Sequence, residues 1–312
     1  MATQFLSVSS MSDAFIQGTI KDSFRTSIDK NEKLWKKSLG FEEMTTEKPF
    51  EEFENWAGIG VAVQRQEGEQ FRTDVPKQGF RTRINQLSYG IMIPISEQTW
   101  KWVKKGHKSI RDVMKPAEMV AESMATCNEL LAADIYGNAF SATAQPHADG
   151  VALVSASHVL IRGGTDSNYM GAVSFSQSSL EAAIIQADRF KEDTGLQRGV
   201  KSGKRTLVLP NEYQFEAKRI LESTGQSNTA NNAINALKDE GLAVAKNRYL
   251  PSTTNWFIRH AGEENCLLAI FGEKPDIREF GDDKTHIKYF QCFQECAFGI
   301  GLNWRGLQGS DF

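Results

Sequence analysis

The chain has 312 residues, of which 40% are hydrophobic and 24% charged, and its formal net charge is −3. Such a composition suits a globular chain of one large or two modest domains, and the slightly acidic balance excludes a protein whose main work is gripping nucleic acid, though not one that encloses it. No run of 18 apolar residues offers a membrane span, no basic region followed by an apolar block reads as a secretory leader, and four scattered cysteines (Cys127, Cys266, Cys292, Cys296) read as reduced thiols.

Residues 1–50 read as an arm. Phe15, Ile16, Ile20, Phe24, Ile28, Leu34 and Trp35 stand among many Lys, Asp, Ser and Thr residues, which predicts an amphipathic helix with frayed ends. Its apolar face needs a surface, on this subunit or on a neighbour. Residues 51–95 follow as a long polar hairpin. Val61, Val63 and Arg65 lead to a turn at Glu67–Gly68, Pro76 to Gly79 marks a second turn, and Phe80 to Pro94 forms a returning strand. Charged residues (Arg65, Glu67, Glu69, Arg72, Asp74, Lys77, Arg81, Arg83) leave little for a core, and an isolated two-stranded hairpin is marginal in water. The hairpin is therefore held by an adjacent copy or laid over its own domain. Alternation puts Arg81 and Arg83 on one side, facing whatever it crosses.

A long helix is predicted over Arg111–Phe140. Ile110, Val113, Ala117, Val120, Met124, Cys127, Leu131 and Ile135 repeat at three and four, lining one face of a rod roughly 45 Å long. Pro116 predicts a helix start or a kink, and Gly137 with Asn138 loosens the far end. Asp149 to Gly171 is a turn-rich surface loop. Ser178 and Glu181 read as a capping box opening a helix that stops at Gly195. Arg205–Pro210 reads as a buried strand, with Asn211 capping the helix behind it. Ser227–Gly241 reads as a mobile loop around a short helix. Strand-like runs at 242–250, 255–260, 266–272 and 287–304 complete an α+β order.

Catalytic and cofactor motifs are missing. There is no GxGxxG, GxxxxGK[ST] or GxSxG, so no cofactor is expected. Cys292 and Cys296, with His286 and His260 nearby in sequence, form only one loose pair; alternation places the thiols with Phe290 and Phe298 as packing groups. Asp149 and His158 suit a base and its orienter, but spacing supplies no nucleophile. Lys36-Lys37 and Lys104-Lys105 read as solvated faces. The expectation is a non-enzyme whose protrusions reach across subunit interfaces, without a metal site.

The order of these stretches resembles a known family, the major capsid proteins of tailed bacteriophages with the Hong Kong 97-type fold, and within it the Mu-like head subunits. NWAGIGVAVQRQEGEQF looks like the family's first extended-loop strand with its Glu67–Gly68 turn, and FRTRINQLSYGIMIPISEQTW like the return strand and lead-in to the spine helix. RTLVLPNEYQFEAKRILES, NRYLPSTTNWFIRH and the ending FGIGLNWRGLQGS match further blocks. The resemblance implies an N-terminal arm (1–50), an extended loop (51–95), a peripheral domain (96–204) with spine helix 111–140, an axial domain (205–290) and a C-terminal strand (291–312) returning to the peripheral domain. It implies hexamers and pentamers of this chain in an icosahedral virion shell around double-stranded DNA, bound without sequence specificity and without a membrane. Portal, scaffolding and cement or decoration proteins would be the partners, and the subunit would be made in the bacterial host cytoplasm. Residues 1–50 are too few for a long fused scaffolding segment, so a separate scaffolding protein or none is expected. The inter-subunit contacts would come from Arg65, Glu67, Glu69, Arg72, Lys77, Arg81, Arg83, Phe15, Phe24 and Trp35. Lys77, near the loop tip, has the residue type for covalent cross-linking, but no acceptor or catalytic Glu matches. An encapsulin-like nanocompartment shell, of the same fold, is the alternative.

Overall fold

The computed structural model describes residues 11–200, 204–223, 225, 234–282 and 286–312. Residues 1–10 of the arm and residues 227–233 of the Ser227–Gly241 loop lie outside them; within that loop, Ala236–Lys238 forms a 3₁₀ turn.

The arm carries an 18-residue helix, α1 (Asp13–Lys30), whose first turn is capped by the Ser12 hydroxyl accepting the Phe15 N–H at 3.2 Å. Its i, i+4, i+8 residues Ile16, Ile20 and Phe24 are buried in one cluster with Val113, Ala117, Val120 and Met124 of the long helix α4 (Arg111–Gly137). A short α2 (Leu34–Lys37) drops Trp35 into a second cluster with Phe41, Tyr136 and Phe271. The arm's apolar face is thus satisfied within its own chain. Phe24, with no exposed surface, and Trp35, at 3%, are corrected from inter-subunit contacts to core residues. Hydrophobic periodicity marks a face for burial without naming the surface that buries it.

The long helix starts at Arg111, and Pro116 lies inside its second turn rather than opening it. It stops at Gly137, where a Cβ would come within 2.4 Å of Pro251 Cγ.

The first sheet is ordered β1-β10-β11-β4. Here β1 is Glu42–Thr45, β4 Leu87–Ser96, β10 Leu267–Asp282 and β11 Ile287–Ile300. β10 and β11 are antiparallel, and β1 lies parallel to β10. β4 is an edge, which is why Pro94 is tolerated in it. The separate pair β2 (Phe50–Ala57) and β3 (Lys77–Asn85) is antiparallel. The expected single strand Phe80–Pro94 is therefore two, and of the expected turn at Pro76–Gly79 the residues from Lys77 onward already belong to β3. The break is at Gln86, whose N–H bonds the Pro49 carbonyl and whose side chain donates to the Lys48 carbonyl at 2.8 Å. There the chain leaves β2 and joins β11. Ser96 then caps α3 (Glu97–Lys104).

A small hairpin, β5 (His158–Val159) with β6 (Thr165–Asp166), organises the Gly-rich loop. The second sheet is ordered β12-β9-β7-β8, from Leu307–Ser310, Trp256–His260, Arg205–Leu209 and Ala243–Lys246. Leu207, Leu209, Trp256 and Ile258 pack there against Leu180 and Ile184 of α5 (Gln177–Ala187) and Ala217 of α6 (Gln214–Glu222). Two local expectations are corrected. The capping box is formed by Ser176 and Ser179, two residues ahead of the expected pair, and α5 ends at Ala187 so that Phe190 can turn in beside Trp304. Asn211 opens a 3₁₀ turn after Pro210, and α6 begins at Gln214 without a side-chain cap. The strand grouping also differs from a split at 205 and 290. β10 and β11 are continuous partners across residue 290, and the chain end pairs with β9 in the sheet of residues 205–260.

Candidate assembly surface

Between β2 and β3, residues 58–76 project from the body without regular strand, and the first strand expected around Val61–Val63 does not form. The turn at Glu67–Gly68 is present, with Gly68 at φ +87°, a conformation suited to glycine. Trp56, Ile59, Val61, Val63, Phe71 and Val75 are 58–76% exposed along this stretch. Six large apolar side chains on one protrusion exceed the scattered exposed hydrophobics of an ordinary surface and mark an interaction site.

The base of the loop is fastened to its own body. Arg162 bonds Asp74 at 2.9 Å and the Val75 carbonyl at 2.6 Å, while Asp74 also accepts the Gly60 N–H at 2.8 Å. The Gly60 amide first, then Arg162, hold the Asp74 carboxyl below its ordinary range. Lys77 is at this base, not the tip, and donates to the Ile161 carbonyl at 2.9 Å. That contact occupies the amine considered for cross-linking. Among the described residues, the tip is organised by contacts within itself. The Arg65 guanidinium lies 4.3 Å from the centre of the Phe71 ring and donates to the Glu69 carbonyl at 2.5 Å, while the Glu69 carboxylate accepts the Gln66 N–H at 3.0 Å. Glu67 and Arg72 are exposed.

Arg81 and Arg83 do share the solvent face of the β2–β3 ribbon, paired in register with Glu54 and Glu52. Arg81 forms an ion pair with Glu54, and Arg83 lies 3.5 Å over the Phe50 ring. The opposite face is less polar than the sequence reading allowed. Ile84 is buried with Leu268, Ile270 and Ala297, and Phe53 packs on them. The ribbon therefore has a small core of its own, and only the tip lacks one. On α1, Phe15 remains 57% exposed. The tip's apolar set and Arg162 were missed as site residues. The WAGIGVAV run is a signal, but its alternation alone reads as a strand and does not say that the side chains stay exposed.

The other chemical candidates are internal. Cys292 and Cys296 have no exposed surface, and burial pushes both thiols up to about 12. His260 belongs to the other sheet, where burial lowers it to about 4, and His286 is exposed beside Glu97. Asp149 and His158 do meet, at 2.7 Å, joined by His147 on the other carboxylate oxygen at 2.9 Å. Burial alone would raise the Asp149 carboxyl; the two imidazoles outweigh it and hold it well below the ordinary range. All three side chains are at most 2% exposed, which denies a substrate access.

A two-sheet α+β body with a projecting, self-organised loop is a capsid-type fold. It matches the capsid of an empty GTA particle (TM-score 0.57, 9% identity, 90% of each chain) and the mature capsid of bacteriophage PhiM1 (TM-score 0.57, 10% identity, 87% of this chain and 84% of that one). It also matches a virus-like particle from Pyrococcus furiosus (TM-score 0.50, 10% identity, 96% of this chain and 100% of that one). The family follows from sequence: the phage capsid protein family model matches residues 81–308, and the chain belongs to that family. It is a structural protein of the virion. No curated protein matches the sequence significantly.

Proposed function

We propose that this chain is the major head subunit of a tailed phage, of the Mu-like kind, forming hexamers and pentamers that close into an icosahedral shell around double-stranded DNA. The observation that carries this reading is the loop tip. Among the described residues its apolar side chains stay exposed, Phe71 meeting the Arg65 guanidinium alone, while its base is clamped at Arg162 and Lys77, which holds the loop out from the body. A neighbouring copy offers those residues burial, and each contact repeats around the shell. The charged face with Arg81 and Arg83 would lie across the same neighbour. A net charge of −3 suits a wall that encloses DNA without gripping it. The partners of such a shell would be a portal protein and a separate scaffolding protein where one is used, with a cement or decoration protein as an optional addition, and assembly would take place in the host cytoplasm.

Charge reversal at both arginines (Arg81→Glu with Arg83→Glu) is expected to leave a soluble, folded subunit that builds capsomers and shells poorly in negative-stain images. Normal shells from the variant would remove the ribbon from the interface. A wild-type chain that stays a compact monomer under assembly conditions would remove the whole reading. The likeness to the virus-like particle favours, as a second reading, an encapsulin-like shell around a protein cargo. Nucleic acid or protein inside purified particles separates the two.

A further inference from the structure

His158 has no exposed surface, and both of its ring nitrogens face oxygen. Nε2 lies 3.2 Å from the Leu153 carbonyl and 3.1 Å from Asn168 Oδ1, and Nδ1 lies 2.7 Å from Asp149 Oδ2. The orientation of Asn168 is set independently. Its Nδ2 donates to the carbonyls of Leu153, Trp304 and Leu307 at 2.8, 3.1 and 2.7 Å, and its Oδ1 accepts the Ser155 N–H at 2.8 Å. The atoms beside Nε2 are therefore acceptors, and Nε2 carries a proton. With Nε2 carrying a proton, Nδ1 faces the carboxylate, and the two are joined either by a second ring proton or by a metal ion held between them.

His147 repeats the arrangement on the other oxygen. Its Nδ1 is 2.9 Å from Asp149 Oδ1 and 3.5 Å from the Asp149 backbone N–H, and its buried Nε2 has no hydrogen-bond partner among the described residues. One donor atom from each of the three residues lies within 4.8 Å of the others. We propose that His147, Asp149 and His158 form a binding site for a divalent transition-metal ion of the zinc class. Two imidazole nitrogens and a carboxylate able to give both oxygens make a borderline-soft donor set suited to zinc. The Nε2–H of His158 held on a backbone carbonyl is the outer contact that metal-binding histidines usually make. Tetrahedral donors sharing a zinc ion at roughly 2.0–2.1 Å stand roughly 3.3 Å apart, so the contacts at 2.7 and 2.9 Å would open by roughly half an ångström, and any donor pair near the 4.8 Å limit would close onto the ion.

The site is closed to solvent, so the ion would act as a staple and not as a catalyst. It would tie the His147–Val151 turn to β5. Above it, the Trp304 ring stacks on His158 at 4.4 Å, and Asn168 binds the chain leading into β12. The loop and the C-terminal segment would thus be fastened at one point.

The test uses the full-length subunit, freed of metal by dialysis and titrated with Zn²⁺ or Co²⁺. One ion per chain by elemental analysis, d–d absorption bands with Co²⁺, and a thermal midpoint that rises with Zn²⁺ and falls back with chelator are expected. Asp149→Asn and His147→Gln should weaken binding at least about a hundred-fold, since each removes a direct ligand. Binding by either folded variant equal to wild type would place the ion elsewhere and overturn the proposal. So would a wild-type chain that takes up no stoichiometric metal and shows no d–d bands; a proton on Nδ1 would then join the pair. The Co²⁺ spectrum needs no variant, so it decides the question even if a substitution prevents folding.

Discussion

Glu129 joins the arm to the long helix, and its charge can be tested directly. It lies in α4, 5% exposed, with Oε1 accepting the Leu34 N–H at 2.7 Å; Oε2 has no partner among the described residues. It lines a pocket of about 350 Å³ with Phe24, Asn31 and Trp35. Burial raises its carboxyl from 4.5 to about 7, against the lowering effect of the Leu34 and Trp35 amides. The unfolded chain releases this proton near its ordinary value, while the folded chain keeps it to about 7. Between those values the folded state binds more protons, so stability is full below the lower one, falls through the window, and stays low above it. The gap, at about 1.4 kcal/mol per pH unit, amounts to about 3 kcal/mol. Glu129→Gln keeps the carbonyl acceptor for Leu34 and removes the charge. Urea unfolding of unassembled subunits between about pH 4 and about pH 8 should show wild type losing about 3 kcal/mol more than the variant. Parallel pH profiles for the two proteins would refute the reasoning.

Phe24→Ala empties a side chain with no exposed surface between α1 and α4, and should destabilise the subunit by about 3 kcal/mol or more in the same assay. If instead only assembly suffers and the isolated subunit keeps its stability, the arm docks on a neighbour. Arg162→Ala removes the clamp on Asp74 and Val75. Limited proteolysis within residues 58–76 should then quicken several-fold while the body stays folded, and unchanged cleavage would show that the clamp does not set the loop's position. Gly137→Ala drives a methyl into Pro251 and should lower the thermal midpoint, whereas an unchanged midpoint would mean that the 251 turn yields freely.

The helices and most strands were legible along the chain because their signals are local. The three-and-four spacing from Val113 to Ile135 and the i, i+4, i+8 row of α1 each state a period and a buried face. The Glu67–Gly68 turn needs only the residue that tolerates its backbone angles. The absence of phosphate-loop and nucleophile motifs likewise required no fold. What fills each face was not local. Phe24 and Trp35 read as contacts for a neighbour until α4, β10 and β11 were seen to bring surfaces from distant parts of the chain against them. Gln86 divides one apparent strand because Lys48 and Pro49 wait across the gap, and Leu307–Ser310 crosses to the other sheet because β9 has a free edge. The three-residue cluster shows the same division. Asp149 and His158 were visible as a pair, but His147 joined them only through a turn, and the acceptors that determine the tautomer of His158 come from Asn168 and Leu153. A chain records which side chains avoid water, while the long-range packing of the folded molecule selects their partners.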